Sequence, residues 1–196
     1  GAVLDESWLP HTGKVWMAAA AWNVGSLIVS NGWIRFPADG FHLTVTNSAT
    51  ITGPSGRLEL GGGQVSLVPY VGPYEYIWSE PSGPTFTIGG NLTLAGGGQL
   101  TVYSGPTNDP STNYGALVTV RGDISIADNS WIYPHSHPTN GGSVCWRMSS
   151  LVVAGPGGGI NADFRGFRKP YYENVFFARQ NGYGPGGGGQ SYTGGG

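Results

Sequence analysis

Short runs of alternating apolar and hydroxyl-bearing residues recur along the chain and predict a series of β-strands. The clearest copies span residues 43–51, 86–94 and 118–126, and they align without a gap. Each copy contains an apolar-hydroxyl-apolar triplet, a corner with Gly or Asn, and a second triplet of the same kind. Alternation at period two is typical of a strand with one buried face. Gly and Asn tolerate the left-handed backbone that a tight corner needs.

The spacing of these copies predicts the stacked coils of a β-solenoid. A further run begins at residue 151, so the starts at 43, 86, 118 and 151 are separated by 43, 32 and 33 residues. Strand, corner and strand at a nearly regular interval favours a solenoid. A β-sandwich or jelly roll remains the alternative, because its hairpins also give short strands with Gly turns. In the solenoid, one set of apolar positions should point inward and stack: Ile88, Leu92 and Leu94 on Val120, Ile124 and Ile126.

Changes in composition divide the chain into three parts. Residues 1–24 are an entry, capping or assembly segment, in which an alanine run favours helix and the flanking Trp16 and Trp22 favour strand. Residues 25–167 form the predicted solenoid domain, with a Pro-bounded aromatic insert at 69–84 and a His/Pro loop at 133–142. Residues 168–196 form an aromatic and then glycine-rich tail.

Composition and charge argue against two classes of function, nucleic-acid binding and membrane spanning. Charged residues are 10% of the chain, against about 25% in ordinary soluble domains. The net charge is −2, and the basic residues form no stripe that could neutralise a run of phosphates, so nucleic acid is not an expected partner. The apolar run at 15–22 is far shorter than the ~20 residues that a membrane span needs.

The single cysteine and the ends of the sequence add little about the cellular compartment. Cys145 has no partner for an internal disulfide and is predicted to be a small buried hydrophobe. The sequence stops inside a glycine tract, which suggests a piece of a longer polypeptide.

The C-terminal half carries a resemblance to a known kind of protein. The runs at 133–144, 150–154, 158–167 and 184–189 resemble glycine-rich, secreted bacterial parallel β-helix proteins, which are mostly uncharacterised. The resemblance implies a right-handed parallel β-helix at the cell surface or in a matrix, and it implies no established activity.

Aromatic residues supply the candidate binding and interface sites. Tyr70, Tyr74, Tyr76 and Trp78 offer flat apolar faces with polar tips, which suit either a sugar or a protein interface. The stretches before Trp22 and after Tyr171 are the ones free to cover the two ends of a solenoid, and neither is polar enough to act as a terminal cap. The predicted association residues are Trp16, Trp22, Tyr171 and Tyr172.

No catalytic constellation or cofactor motif stands out. His135 and His137 alternate in an extended segment and could share a metal ion, but two ligands do not make a site. Asp123, Asp128 and Asp163 are isolated carboxylates, and Asp at a turn commonly bonds its own backbone. We therefore predict no catalytic residues and no cofactor.

Two functional hypotheses follow from the sequence. The first is a structural, non-enzymatic extracellular solenoid that forms a fibre, filament or matrix element with copies of itself or with neighbouring solenoid segments. The second is a carbohydrate-binding or polysaccharide-degrading β-helix, a lyase or hydrolase, that uses the aromatic insert.

The second hypothesis predicts that the isolated protein binds a glycan through the insert. Trp78→Ala removes the largest stacking surface of the insert and should abolish most of the signal on a glycan array. Binding that survives this substitution unaltered would exclude the insert as the glycan site.

Overall fold

The computed structural model shows a parallel β-solenoid. The structure describes residues 2–5, 14–16, 21–38, 40–61, 83–107, 114–137, 141–163 and 165–166. These residues form seventeen strands and no helix, and therefore include no helix that could cross a membrane. Every strand pair among them is parallel, which excludes the hairpin sandwich.

The strands follow one another in coils of three, and the last described coil has two. Coil 1 contains β1 (Ala2–Asp5), β2 (Lys14–Trp16) and β3 (Ala21–Val24). Coil 2 contains β4 (Leu27–Ser30), β5 (Trp33–Phe36) and β6 (His42–Val45). Coil 3 contains β7 (Ala49–Thr52), β8 (Arg57–Leu60) and β9 (Thr85–Ile88). Coil 4 contains β10 (Leu92–Ala95), β11 (Gln99–Tyr103) and β12 (Ala116–Val120). Coil 5 contains β13 (Asp123–Ile126), β14 (Trp131–His135) and β15 (Val144–Arg147), and coil 6 contains β16 (Ser150–Val153) and β17 (Gly159–Ile160).

Corresponding strands of successive coils pair in three sheets. Sheet A has the order β1-β4-β7-β10-β13-β16, sheet B has β2-β5-β8-β11-β14-β17, and sheet C has β3-β6-β9-β12-β15. The chain therefore runs A, B, C in each coil and turns at three corners. The backbone ladder continues through the corner from C to A, where Gly89 N–H donates to the Val45 carbonyl (2.8 Å) and Arg121 N–H to the Ile88 carbonyl (2.9 Å).

Inward-pointing apolar residues from the three sheets form the core. The register places them in columns, and every member is at most 2% exposed. Sheet A contributes Leu27, Ala49, Leu92 and Ile124, and Val29, Ile51, Leu94 and Ile126. Sheet B contributes Ile34, Leu58, Leu100 and Ile132, and Phe36, Leu60 and Val102. Sheet C contributes Leu43, Phe86 and Val118, and Val45, Ile88 and Val120.

The predicted alignment of the first three copies is confirmed, and that of the fourth is wrong. Val118 pairs with Phe86, and Phe86 pairs with Leu43, so the three copies are neighbouring turns of the solenoid. Leu151, however, pairs with Ile124 of sheet A. The residue that continues the Val118 column is Trp146. The pattern failed there because β15 has the sequence Val-Cys-Trp-Arg and lacks the hydroxyl alternation.

The ends of the predicted domain also shift. Residues 1–24, for which helix and strand were both open, supply the three strands of coil 1, so the solenoid begins before residue 25. The predicted loop at 133–142 begins inside β14, whose last three residues are Tyr133, Pro134 and His135. Pro134 is accommodated near the end of that strand. Most of the aromatic insert and the tail after Gly166 lie outside the described residues.

Two corners use Gly and Asn for different physical reasons. At the corner from A to B, Asn31, Gly53 and Asn129 have φ angles of 50°, 86° and 61°, the left-handed values expected of these residues. At the corner from C to A, Gly89 and Gly122 do not adopt such angles. A Cβ at Gly89 would overlap the Thr46 carbonyl, and one at Gly122 would overlap the Asn91 side-chain oxygen. Glycine there allows close stacking of coils, not the left-handed backbone that we predicted.

The inward columns predict which substitutions destabilise the fold. Ile124→Ala removes a side chain that is 1% exposed in the middle of a column, and the free energy of unfolding should fall by ~2–5 kcal/mol. Ser125→Ala, the next residue along β13 and outward-pointing, should change it by less than ~0.5 kcal/mol. Urea denaturation followed by circular dichroism measures both, and equal losses would contradict the assigned register.

Candidate functional site

The outer face of sheet B carries most of the chemistry among the described strands. Its inward residues alternate with outward ones, and the register places the outward ones in two columns. The first column contains Trp33, Arg57, Gln99 and Trp131, and the second contains Arg35, Glu59, Thr101 and Tyr133. Successive members of a column are about 4.7–4.9 Å apart, because that is the spacing of paired strands. All eight residues are partly exposed.

Arginine contacts connect the members of this face. The Arg57 guanidinium lies over the Trp33 ring, 5.5 Å from its centroid. The Arg165 guanidinium lies 4.5 Å from the Tyr133 centroid, and its Nε donates to the Asn161 carbonyl at 3.0 Å. Cation–π contacts of this kind contribute about 0.5–1 kcal/mol at exposed sites. The face is therefore preorganised by its own side chains.

One ion pair crosses the second column. Arg35 Nε lies 3.6 Å from Glu59 Oε2, and the two side chains are 20% and 14% exposed. This carboxylate offsets the charge of Arg35. Arg57 forms no ion pair with any carboxylate of the described residues, and its buried Nε atom has no hydrogen-bond partner there.

The outer faces of sheets A and C are chemically plainer. Sheet A presents a column of Ile28, Thr50, Thr93, Ser125 and Val152, and sheet C presents Asn23, Thr44, Thr87, Thr119 and Arg147. Thr and Val suit the exposed face of a strand by their shape alone. Because the same coils form all three faces, the solenoid does not require the Trp, Arg and Glu side chains of sheet B.

The extra length of the longer coils is concentrated at one corner. The connections from sheet B to sheet C cover residues 61–84, 104–115 and 136–143 in coils 3, 4 and 5. The shortest described coil advances 22 residues, from Leu27 to Ala49, whereas the next advances 43, from Ala49 to Leu92. In coils 2 to 5 the connections at the other two corners cover at most four residues.

Glycines lie where these connections leave the solenoid and return to it. We refer to the paired ends of a connection as its neck. Gly105 N–H donates to the Gly115 carbonyl at 2.8 Å, and His137 N–H donates to the Gly142 carbonyl at 2.7 Å. A Cβ at Gly115 or at Gly142 would overlap the Gly105 carbonyl oxygen. In coils 4 and 5 the two ends of the connection are thus held together before the chain enters the next strand.

The described solenoid ends at coil 6 with core positions that are exposed. Leu151 and Val153 continue inward columns of sheet A, and Ile160 continues one of sheet B. These residues are 43%, 45% and 42% exposed, whereas their counterparts Ile124, Ile126 and Ile132 in coil 5 are at most 1% exposed. We refer to these three exposed residues as the open end.

Several predicted site residues lie beyond what the structure describes. The predicted site residues outside the described part of the chain are Tyr70, Tyr74, Tyr76, Trp78, Tyr171 and Tyr172. Trp16 belongs to β2, where its backbone pairs with Arg35. Trp22 points inward from β3 and packs against the core, and its ring centroid lies 5.6 Å from that of Phe36. It is half-buried at the first coil, so it is a core residue near the N-terminal end of the stack.

The two candidate metal-binding histidines have different surroundings. The His135 ring stacks on Tyr103 with centroids 4.5 Å apart, whereas His137 is 3% exposed and lies in the neck of coil 5. The described residues contain no group of three or more His, Cys, Asp or Glu side chains that could hold a metal ion. Cys145, predicted to be buried, is partly exposed on sheet C beside Leu117.

The isolated carboxylates take part in contacts between coils. Asp123 Oδ1 accepts a hydrogen bond from Ser150 Oγ at 2.7 Å, and Asp128 Oδ1 accepts one from Gly157 N–H at 2.8 Å. In both cases the partner belongs to the next coil. At the third position, the backbone N–H of Asp163 donates to Asn161 Oδ1 at 2.9 Å and holds the turn. The carboxylates of Asp123 and Asp128 therefore bond the next coil, and not their own backbone as expected of Asp at a turn.

Sequence reasoning missed the columns of sheet B, although a signal was present. The segments 33–36, 57–60, 99–102 and 131–134 align without a gap as Trp-Ile-Arg-Phe, Arg-Leu-Glu-Leu, Gln-Leu-Thr-Val and Trp-Ile-Tyr-Pro. Their second and fourth residues share apolar character, except for Pro134, while the first and third differ in chemical type.

No family model, curated protein or solved structure matches the chain in the comparisons made.

The neck geometry predicts a position where even alanine is unfavourable. Gly115→Ala places a methyl group on the Gly105 carbonyl, so the backbone must shift and stability should fall by about 1–3 kcal/mol. Gly166→Ala is the matched control, because nothing lies within 4 Å of its added Cβ. Thermal denaturation compares the two variants, and an unchanged midpoint for Gly115→Ala would refute the close approach.

Proposed function

We propose that the chain is a structural, non-enzymatic β-solenoid element that acts outside the cell and extends by end-to-end association. Its partners are copies of itself or neighbouring solenoid segments, and the product is a fibre, filament or matrix element. The observation that carries this proposal is the open end, where three residues occupy core positions and are each more than 40% exposed.

Covering the open end would complete a core that already exists. A further coil stacked on β16 and β17 would bury Leu151, Val153 and Ile160 as coil 6 buries their counterparts. Burying a fully exposed side chain of this kind is worth about 1.5–3 kcal/mol, and these three, which are 42–45% exposed, would gain about half of that each. The outer edge of β16 has no pairing strand among the described residues, and its N–H and C=O groups can extend sheet A.

The two described ends are suited to head-to-tail contact. At the first coil, Trp22 and Val24 are core-packed residues that are only half-buried. A copy placed with its first coil on coil 6 would continue the parallel sheets. Such a contact joins different surfaces of the two copies, so it gives an open filament when its rotation does not close a ring.

Other properties support this proposal indirectly. Asp123 and Asp128 bond to the next coil and thus act as structural residues. An extracellular setting rests on the resemblance to secreted β-helix proteins and agrees with a fold held by backbone ladders without a disulfide. We infer a right-handed coil, as that resemblance implies, because crossover connections between parallel strands are right-handed in about 98% of cases. Carbohydrate binding through the 69–84 insert stays a prediction.

The proposal predicts concentration-dependent polymers that depend on the open end. Leu151→Glu combined with Val153→Glu places two charges at inward positions of coil 6 and should give a monomer in sedimentation velocity. Val152→Glu is the control, because Val152 is 50% exposed but points to the outer face of sheet A, and this variant should still polymerise.

Two results would contradict end-to-end association. One is a wild-type chain that sediments as a monomer at high concentration. The other is an equal loss of polymers in Val152→Glu, because that would indicate an effect of net charge instead of the open end.

A further inference from the structure

We propose that the outer face of sheet B binds an extended acidic polysaccharide, with Arg57 as the carboxylate-binding group and Trp131 as a stacking surface. This site is separate from the aromatic insert and from the open end. The proposal is independent of end-to-end association, because its residues lie on the flank of coils 2 to 5.

The shape of the site suits a linear polymer. Arg57, Gln99 and Trp131 occupy one column on three successive coils, so they form a straight row parallel to the solenoid axis. Arg57 and Trp131 are two coils apart, which corresponds to about 9–10 Å. A row of this length presents contacts along one direction, as a chain of linked sugar rings requires.

The chemistry of the row suits a sugar. An aromatic face such as that of Trp131 packs against the C–H groups of a sugar ring, and Gln99 can both donate to and accept from hydroxyl groups. The neighbouring column adds Thr101 and Tyr133, each with a hydroxyl group beside the row. All four residues are partly exposed and therefore reachable from solvent.

Charge favours an acidic sugar over a neutral one. The two columns contain Arg35 and Arg57 but only one carboxylate, Glu59, which lies next to Arg35, and the Arg165 guanidinium stacks on Tyr133 beside them. The face is therefore positive, although the whole chain has a net charge of −2. An arginine fork matches the two oxygens of a carboxylate, and Arg57 has no carboxylate partner among the described residues.

The same charges do not suit a nucleic acid. A duplex or single strand needs a run of cations that follows its phosphates, together with several stacked bases. Here each column contains a single arginine, and coil 4 presents the uncharged Gln99 and Thr101. One carboxylate contact beside stacking and hydroxyl contacts fits an acidic sugar within a polysaccharide better than a run of phosphates.

Affinity electrophoresis of the full chain tests the proposal. The probes are polygalacturonate and its methyl-esterified form, which has the same sugar backbone without the charge. We expect retardation by polygalacturonate that is at least about tenfold stronger than by the ester and that decreases as salt is added. Arg57→Gln and Trp131→Ala should each weaken binding about tenfold or more.

Arg121→Gln is the matched control for charge. Arg121 is exposed at the corner between sheets C and A, away from sheet B, and this variant should bind within about twofold of the wild type. Circular dichroism melting of each variant separates lost binding from lost folding. Arg57→Gln loses the contact with Trp33 and should still melt cooperatively, within about 2–4 °C of the wild type. A folded Arg57→Gln variant that binds as well as the wild type would overturn the proposal.

Other outcomes would also overturn it. Equal losses in Arg57→Gln and Arg121→Gln would show diffuse electrostatic attraction, and equal binding of the ester would exclude the acidic class. A wild-type chain that neither probe retards, or one that binds a single-stranded oligonucleotide more tightly than polygalacturonate, would contradict the site itself. Sedimentation velocity of the same variants shows separately whether end-to-end association occurs. A failure of the polysaccharide site can therefore be told apart from a failure of association.

Discussion

In-register parallel pairing is the constraint on which the rest of the structure depends. Each strand pairs with the same strand of the next coil, so a residue that points inward in one coil lies on an inward residue in the next. Leu94, for example, lies between Ile51 and Ile126, and all three are buried. A slip of one residue would move a whole strand's apolar set to the solvent side. The register therefore fixes both the core and the chemical columns on the outer faces.

The same constraint explains where the solenoid accepts additional sequence. A corner between two strands can lengthen if its two ends stay close enough to keep the register. At the corner from B to C, the hydrogen bond from Gly105 N–H to the Gly115 carbonyl holds those ends together. The glycines of the neck let the backbones of adjacent coils approach closely. Coils of very different length consequently share one core.

The part of the fold that repeats could be predicted, and the part that departs from the repeat could not. Residues 43–51, 86–94 and 118–126 carry the alternation openly, and their pairing is confirmed. β15 was not recognised because Arg147 stands where Thr44, Thr87 and Thr119 mark the outward position in the other copies. The strands of coil 1 were not predicted, because the alanines before Ala21 favour helix by propensity, whereas pairing with coil 2 favours strand.

The columns of sheet B were harder to recognise for a different physical reason. A core column is conspicuous because burial demands apolar residues at every position. An outer column has no such demand. Its residues can differ in chemical type, and they become neighbours only through the register, as in the column of Trp33, Arg57, Gln99 and Trp131. Candidate chemistry on a solenoid thus becomes visible after the coils are aligned, and a search for local motifs overlooks it.

Assembly and ligand binding can coexist on this fold because contacts in a solenoid extend mainly to the neighbouring coils. A substitution at Arg57 in coil 3 changes the flank and leaves Leu151 and Val153 of coil 6 in place. End-to-end stacking would also add length to the row on sheet B, since a second copy would continue the same face in the same direction. A polymer ligand gains more from a longer row than a small molecule does, because each added coil supplies another contact at high effective concentration. Extension of the solenoid would therefore strengthen the binding of a polysaccharide without any change in the site itself.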